Sequence, residues 1–175
     1  MYNFMKKFIT TLFFLFFSFL GLGQKGFYPV MDPIKSTNSY CLNENCYYCS
    51  TAALLNTTVT DLVASTGIMQ QDTAQIDEII DLFRNAGVSV RCITGLDEAT
   101  AYCLLSTLPN GQSVGLAYTR QGGSGHMVVV TRDSGYYNNG INPSLKCVDY
   151  QSNPPRITGF PYEGGNLIYN IFIKN

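Results

Sequence analysis

The sequence contains no tryptophan, one histidine and few charged residues. Only 13% of its 175 residues are Asp, Glu, Lys or Arg, and 11 basic against 12 acidic residues give a formal net charge of −1 at pH 7. A chain without a strong electrostatic field does not attract polyanions, so nucleic acid and anionic membranes are not expected partners. Because charges are scarce, the surface must be polar through Asn, Thr, Ser, Gln and Tyr, which suits a secreted protein.

The N-terminus has the pattern of a secretory signal peptide. Lys6 and Lys7 precede an apolar run over residues 8–22, which ends in Gly21-Leu22-Gly23. We expect removal of residues 1–23, which places the protein outside the cell or in a periplasm. The alternative is a retained membrane anchor, although the run is shorter than the ~20 apolar residues a spanning helix needs. Residues 24–175 then form one domain, with no membrane contact once the signal is gone.

Six cysteines follow the signal segment, and an even count in an oxidising compartment predicts disulfide bonds. They are Cys41, Cys46, Cys49, Cys92, Cys103 and Cys147. Three bridges and no catalysis is one interpretation; if one thiol is kept as a nucleophile, at most two bridges remain. A zinc site at Cys46-x-x-Cys49 lacks a second closely spaced ligand pair, so no metal or other cofactor is expected.

Residues 45–55 predict a buried helix that begins with a cysteine. Asn45 is a favourable N-cap, and the following residues are small or apolar. Cys46 then lies in the first turn, where unpaired N–H groups and the helix dipole favour a thiolate. Cys49, one turn further on, is the rival nucleophile.

A base and an acid follow this cysteine along the chain. His126 comes after a glycine-rich loop and begins a strand predicted over residues 126–132; Asp149 lies near the end of a strand predicted over 145–150. Cysteine, histidine and carboxylate form the usual unit of nucleophile, base and orienting acid. With Val148 facing the core, Asp149 faces the other way, toward the side that carries His126, and Gln151 shares its face.

The remaining pattern predicts an α+β domain in which a helical lobe lies in front of a small antiparallel sheet. The nucleophile helix is expected to pack on the face of that sheet. Further helices are predicted over residues 58–65, 76–87 and 97–108, and further strands over 88–93, 113–119 and 166–174.

Three short motifs resemble those of the papain-fold toxin domains of bacterial polymorphic toxins and effectors. In this chain they are Asn45-Cys46-x-x-Cys49, Gly125-His126 and Asp149-x-Gln151. The resemblance implies a papain-like cysteine enzyme that hydrolyses amide bonds of a target protein, as a deamidase or a protease. It also implies a cognate immunity protein as a second partner.

One feature departs from papain-like enzymes, which place an oxyanion-stabilising amide, commonly glutamine, before the nucleophile. Tyr40 stands six residues before Cys46 here. An asparagine could take the place of the glutamine, because an oxyanion needs two donors ~3 Å away rather than a particular residue. The candidates are Asn38, Asn43 and Asn45. Gln151 is expected to orient the acid or to contact the substrate.

Two further hypotheses depend on the cysteines. The competing function is a catalytically inactive, disulfide-stapled binding module that keeps a papain-like outline. The other hypothesis concerns regulation, since a Cys41–Cys46 or Cys46–Cys49 bridge would hold the enzyme inactive until a reducing compartment released it.

Overall fold

The computed structural model describes residues 38, 44–69, 74–119, 123–135, 145–162 and 167–175. The predicted signal segment, Cys41 and Asn43 lie outside these residues. Within them the chain forms four helices and six strands, and every strand pairing is antiparallel. The α+β prediction is therefore confirmed.

Residues at the helix ends either bond to the terminal backbone groups or let the chain turn out of the helix. Thr58 accepts a hydrogen bond from the Asp61 amide at 3.1 Å, and Gly67 ends the same helix with φ of 69°. Asp97 accepts from the Thr100 amide at 2.7 Å. None of the helices in the described ranges is long and apolar enough to cross a membrane. The helices are α1 Cys46–Leu54, α2 Val59–Thr66, α3 Ile76–Asn85 and α4 Glu98–Ser106.

The six strands form one sheet in the order β1-β6-β2-β3-β4-β5. The last strand of the chain is thus inserted between β1 and β2, so β3 lies inside the sheet. The short strand β5 after Pro155 was not predicted; it pairs with β4 through Ile157 opposite Val148. The strands are β1 Val90–Leu96, β2 Ser113–Thr119, β3 Gly125–Arg132, β4 Leu145–Asp149, β5 Arg156–Thr158 and β6 Tyr169–Lys174.

The core has two parts, one on each face of the sheet. On one face α1, α2 and α3 pack against Met127, Val129 and Phe172. On the other face α4 packs against Leu116 and the neighbouring residues of β2, β3 and β6. Successive residues of a strand point to opposite faces, which divides β3 between the two clusters. The expectation of a helical lobe on one side is therefore correct for three helices and wrong for α4.

The central strands should carry most of the packing energy. Ile171 in β6 is 1% exposed, whereas Ile157 in the edge strand β5 is 48% exposed. We expect Ile171→Ala to lower the free energy of unfolding by about 2–5 kcal/mol, since it leaves a cavity. The matched change Ile157→Ala should cost less than about 1 kcal/mol. Urea unfolding followed by circular dichroism measures both; equal losses would contradict this account of the core.

Candidate active site

Helix α1 brings Cys46 to the end of the sheet at which β3 begins. Cys46 is its first residue and is half-buried, while residues 47–54 are all buried. A helix that is buried on every side must lie inside the domain, here between the sheet and α2 and α3. Its first-turn N–H groups have no partners within the helix. Asn45 occupies the predicted N-cap position, but its side chain makes no capping hydrogen bond.

A second contact fixes α1 along the strand that carries the histidine. The Ser50 hydroxyl donates to the backbone oxygen of Met127 at 2.8 Å, and the contact is buried. Ser50 lies four residues after Cys46, on the same helix face, and Met127 directly follows His126. The hydrogen bond therefore sets the position of the cysteine relative to the histidine.

The imidazole of His126 pairs with the carboxylate of Asp149. The distance from Nε2 to the Asp149 Oδ2 is 3.1 Å, and the histidine is 6% exposed. The strand register explains the meeting: Val129 lies opposite Val148, which places Asp149 across from Val128 and two residues from His126 on the same face. The predicted shared face of the two residues is confirmed.

The Cys46 side chain lies beside His126, where its hydrogen bonding and charge raise the pKa of the imidazole. Because Nε2 is engaged by Asp149, Nδ1 is the ring atom left for the sulfur. The Tyr118 ring packs edge-to-face on the imidazole, with centroids 5.8 Å apart and planes at 84°. The imidazole is thus held on three sides, by an acid, a thiol and an aromatic ring.

These neighbours raise the pKa of His126 to about 9 from its ordinary 6.5. Burial is the largest influence and lowers the pKa, but the hydrogen bonds and charges of Asp149 and Cys46 together outweigh it. The raised pKa stabilises the folded protein. This contribution is fully present below the unfolded pKa of about 6.5 and is lost as the pH rises through about 9. At neutral pH the ring is therefore protonated on both nitrogens and positively charged.

The carboxylate of Asp149 is itself well supported. Burial alone would raise its pKa, but hydrogen bonds from His126 and from the backbone amides of Gln151 and Ser152 lower it below the ordinary value. The Gln151 amide donates to Oδ1 at 2.9 Å. Each carboxylate oxygen thus has a defined partner, so Asp149 remains charged and oriented toward the ring.

The rival nucleophile Cys49 is placed unfavourably for reaction. Its side chain is fully buried, and burial raises the pKa of its thiol, as do the nearby Cys46 and Asp149 charges. Cys46 is instead half-buried beside the imidazole. The five described cysteines are all free thiols, so no Cys46–Cys49 bridge is present; pairing with Cys41 concerns a residue outside the described part of the chain.

Cys46 and His126 both line a cleft of about 410 Å³. Asp149 lies behind the imidazole and is not among the lining residues. Apart from the cysteine and histidine themselves, the described lining is uncharged and combines aliphatic, aromatic and neutral polar groups. They include Tyr47, Ile76, Ile79, Gln75, Thr119 and Asn170. An uncharged group therefore fits this cleft better than a charged one.

The residues predicted to bind an oxyanion or orient the substrate have varied surroundings. Asn45 is buried and gives its amide nitrogen to Asn38 Oδ1 at 2.9 Å. The Gln151 side-chain nitrogen is buried without a hydrogen-bond partner among the described residues. Asn43 lies outside them.

Ser50 and Tyr118 belong to the site but were not singled out from the sequence, because an isolated serine or tyrosine carries no distinctive pattern.

No group of three potential metal ligands occurs among the described residues. Comparison of the chain with known protein families and with characterised proteins gave no match.

The single histidine makes the electrostatics of the site directly measurable. We expect the one imidazole signal in a proton NMR titration to have a pKa near 9. In Asp149→Asn this pKa should fall by about 1–3 units, since the carboxylate that stabilises the imidazolium is gone while burial remains. An unchanged pKa in the variant would show that Asp149 does not pair with the ring in solution.

Proposed function

We propose that this protein is a papain-like cysteine hydrolase that cleaves amide bonds of a target protein. Cys46 is the nucleophile, His126 the general base and acid, and Asp149 the orienting residue. The observation that carries the proposal is the imidazole that bonds to the Asp149 carboxylate at 3.1 Å and lies beside the Cys46 thiol, at the wall of a cleft.

The geometry supports a two-step reaction. His126 holds the proton released by Cys46 and is an imidazolium at neutral pH, and the sulfur attacks the amide carbon as a thiolate to form a tetrahedral oxyanion. The oxyanion collapses to a thioester as the imidazolium gives its proton to the departing nitrogen. Water then attacks the thioester, His126 accepts its proton, and a carboxylate and the free thiol are released.

The oxyanion is proposed to form at the N-terminus of α1. The backbone N–H of Cys46 belongs to the first helical turn, where the dipole favours negative charge. Asn45, Asn43 and Gln151 are the proposed side-chain contributors.

Apart from Cys46 and His126, the described lining of the cleft is uncharged, which supports an amide substrate from a neutral side chain or a peptide. Deamidation of Gln or Asn and cleavage of a peptide bond use the same steps, so both activities remain within the proposal. With the expected export signal, the protein would be a secreted toxin or effector that acts on a protein target and is neutralised by an immunity protein. Its proposed redox control is a Cys41–Cys46 bridge that would hold the enzyme inactive before delivery.

Thiol reactivity tests the catalytic pair without a known substrate. At about pH 6 an ordinary thiol with pKa near 8.5 is less than about 1% ionised and reacts slowly with iodoacetamide. We expect Cys46 to be alkylated faster than the exposed Cys103, and His126→Ala to slow Cys46 alone. Peptide mapping by mass spectrometry gives the rate at each cysteine. Equal rates at both, or an inert and oxidised Cys46, would favour the disulfide-stapled binding module.

Intact-mass analysis of candidate target proteins separates the two hydrolytic activities. A gain of about one mass unit per site means deamidation, and fragments mean proteolysis. Cys46→Ala should abolish either change, because no thioester can form. Cys103→Ala, the same substitution at an exposed cysteine on α4, is the matched control and should act like the wild type. Identical masses with wild type and Cys46→Ala for every target would contradict an enzymatic function.

A further inference from the structure

Two buried asparagines connect the start of α1 to the loop that follows β4. Asn45 Nδ2 donates to Asn38 Oδ1 at 2.9 Å, and Asn38 Nδ2 donates to the backbone oxygen of Gln151 at 2.8 Å. Asn38 is 2% exposed and Asn45 is 1% exposed. We call these two side chains and the Gln151 carbonyl the amide bridge. Two of its members, Asn38 and Gln151, are 113 positions apart in the sequence.

Each end of the amide bridge lies next to a proposed catalytic residue. Asn45 directly precedes Cys46. At the other end, the Gln151 amide donates to Asp149 Oδ1 at 2.9 Å while the carbonyl of the same residue accepts from Asn38. Gln151 thus orients the carboxylate through its N–H group and is held through its C=O group.

The cost of burying these amides indicates a geometric role. A buried amide that loses its partner costs about 1–3 kcal/mol, whereas apolar residues of the same shape can replace a bonded pair with little loss of stability. Hydrogen bonds differ from apolar packing in being directional, so they fix one arrangement of the two segments. The arrangement fixed here is the one that brings the acid and the nucleophile to the same imidazole.

We propose that Asn38 is a positioning residue, which holds the loop after β4 against the N-terminus of α1 and so places Asp149 correctly relative to Cys46. Asn38 acts through Asn45 and the Gln151 backbone rather than by touching reacting atoms. Its amide nitrogen bonds to Gln151, which is a different task from the oxyanion role considered from the sequence. The inference rests on the proposed function of the three residues that it positions.

The test measures the site rather than turnover, because thiol alkylation needs no substrate. Asn38→Leu keeps the approximate shape and neutrality of the side chain but makes neither hydrogen bond; Asn38→Ala removes its bulk as well. We expect both to slow alkylation of Cys46 at about pH 6 by ~10-fold or more relative to Cys103 in the same molecule. The NMR pKa of His126 should fall, since Asp149 is no longer held beside the ring.

A matched control is available on the exposed face of α3. Asn85 Nδ2 donates to the backbone oxygen of Asp81 at 2.8 Å, the same type of bond at an exposed site. Asn85→Leu should leave both the alkylation rate and the His126 pKa unchanged.

Asn45→Ala breaks the other bond of the amide bridge. Combining it with Asn38→Leu should cause little further loss of Cys46 alkylation rate if the two residues act as one unit.

The outcomes separate this inference from the proposed function. If His126→Ala fails to slow Cys46, the catalytic pair itself is wrong. If His126→Ala slows it but folded Asn38→Leu has wild-type reactivity and His126 pKa, only the positioning role is overturned. Should both Asn38 variants unfold, Asn45→Ala decides: wild-type behaviour in it, or its unfolding as well, would make the amide bridge a stability feature and overturn the inference.

Discussion

The contact between the N-terminus of α1 and the ends of β3 and β4 is the constraint on which the candidate site depends. The place of Cys46 is set by two contacts: Ser50 donates to the Met127 carbonyl on the histidine strand, and the amide bridge joins the start of α1 to the loop after β4. At the opposite end of the helix, the Lys174 ammonium donates to the Leu54 carbonyl, where a cation complements the helix dipole. A helix fixed at both ends and buried along its length presents its first residue at a fixed place.

Burial and charge act together in the site. His126 is almost fully buried, which by itself would keep the ring neutral, yet the adjacent carboxylate and thiol raise its pKa to about 9. At neutral pH the buried ring is therefore an imidazolium. It faces a cleft whose described lining, apart from Cys46 and His126, is uncharged. A group bound in the cleft therefore interacts electrostatically mainly with the imidazolium, because the nearby lining side chains offer no competing charge.

Much of the fold followed from local patterns. The bounds of β2 agree with the expected strand to the residue, and α2 and α3 start within a residue of their predicted positions, since Thr58 and the Gln75–Glu78 capping box are local signals. The expected side-chain cap of α1 is absent: the Asn45 amide nitrogen donates to Asn38, a residue brought near by the tertiary fold, and its oxygen does not accept from the helix. The placement of α4 on the far face and the short strand β5 also escaped prediction, since neither is specified by periodicity.

The sequence by itself determined the chemical inventory and its order: one imidazole, a cysteine at a helix start and an aspartate at a strand end that alternates away from the core. These properties are local, being set by residue type, by capping and by the two-residue period of a strand. Only the tertiary structure decided that Cys46 rather than Cys49 faces the imidazole, and that Asn38 bonds to Gln151. Both depend on how deeply α1 inserts and on strand register, which arise from packing between segments far apart in the chain.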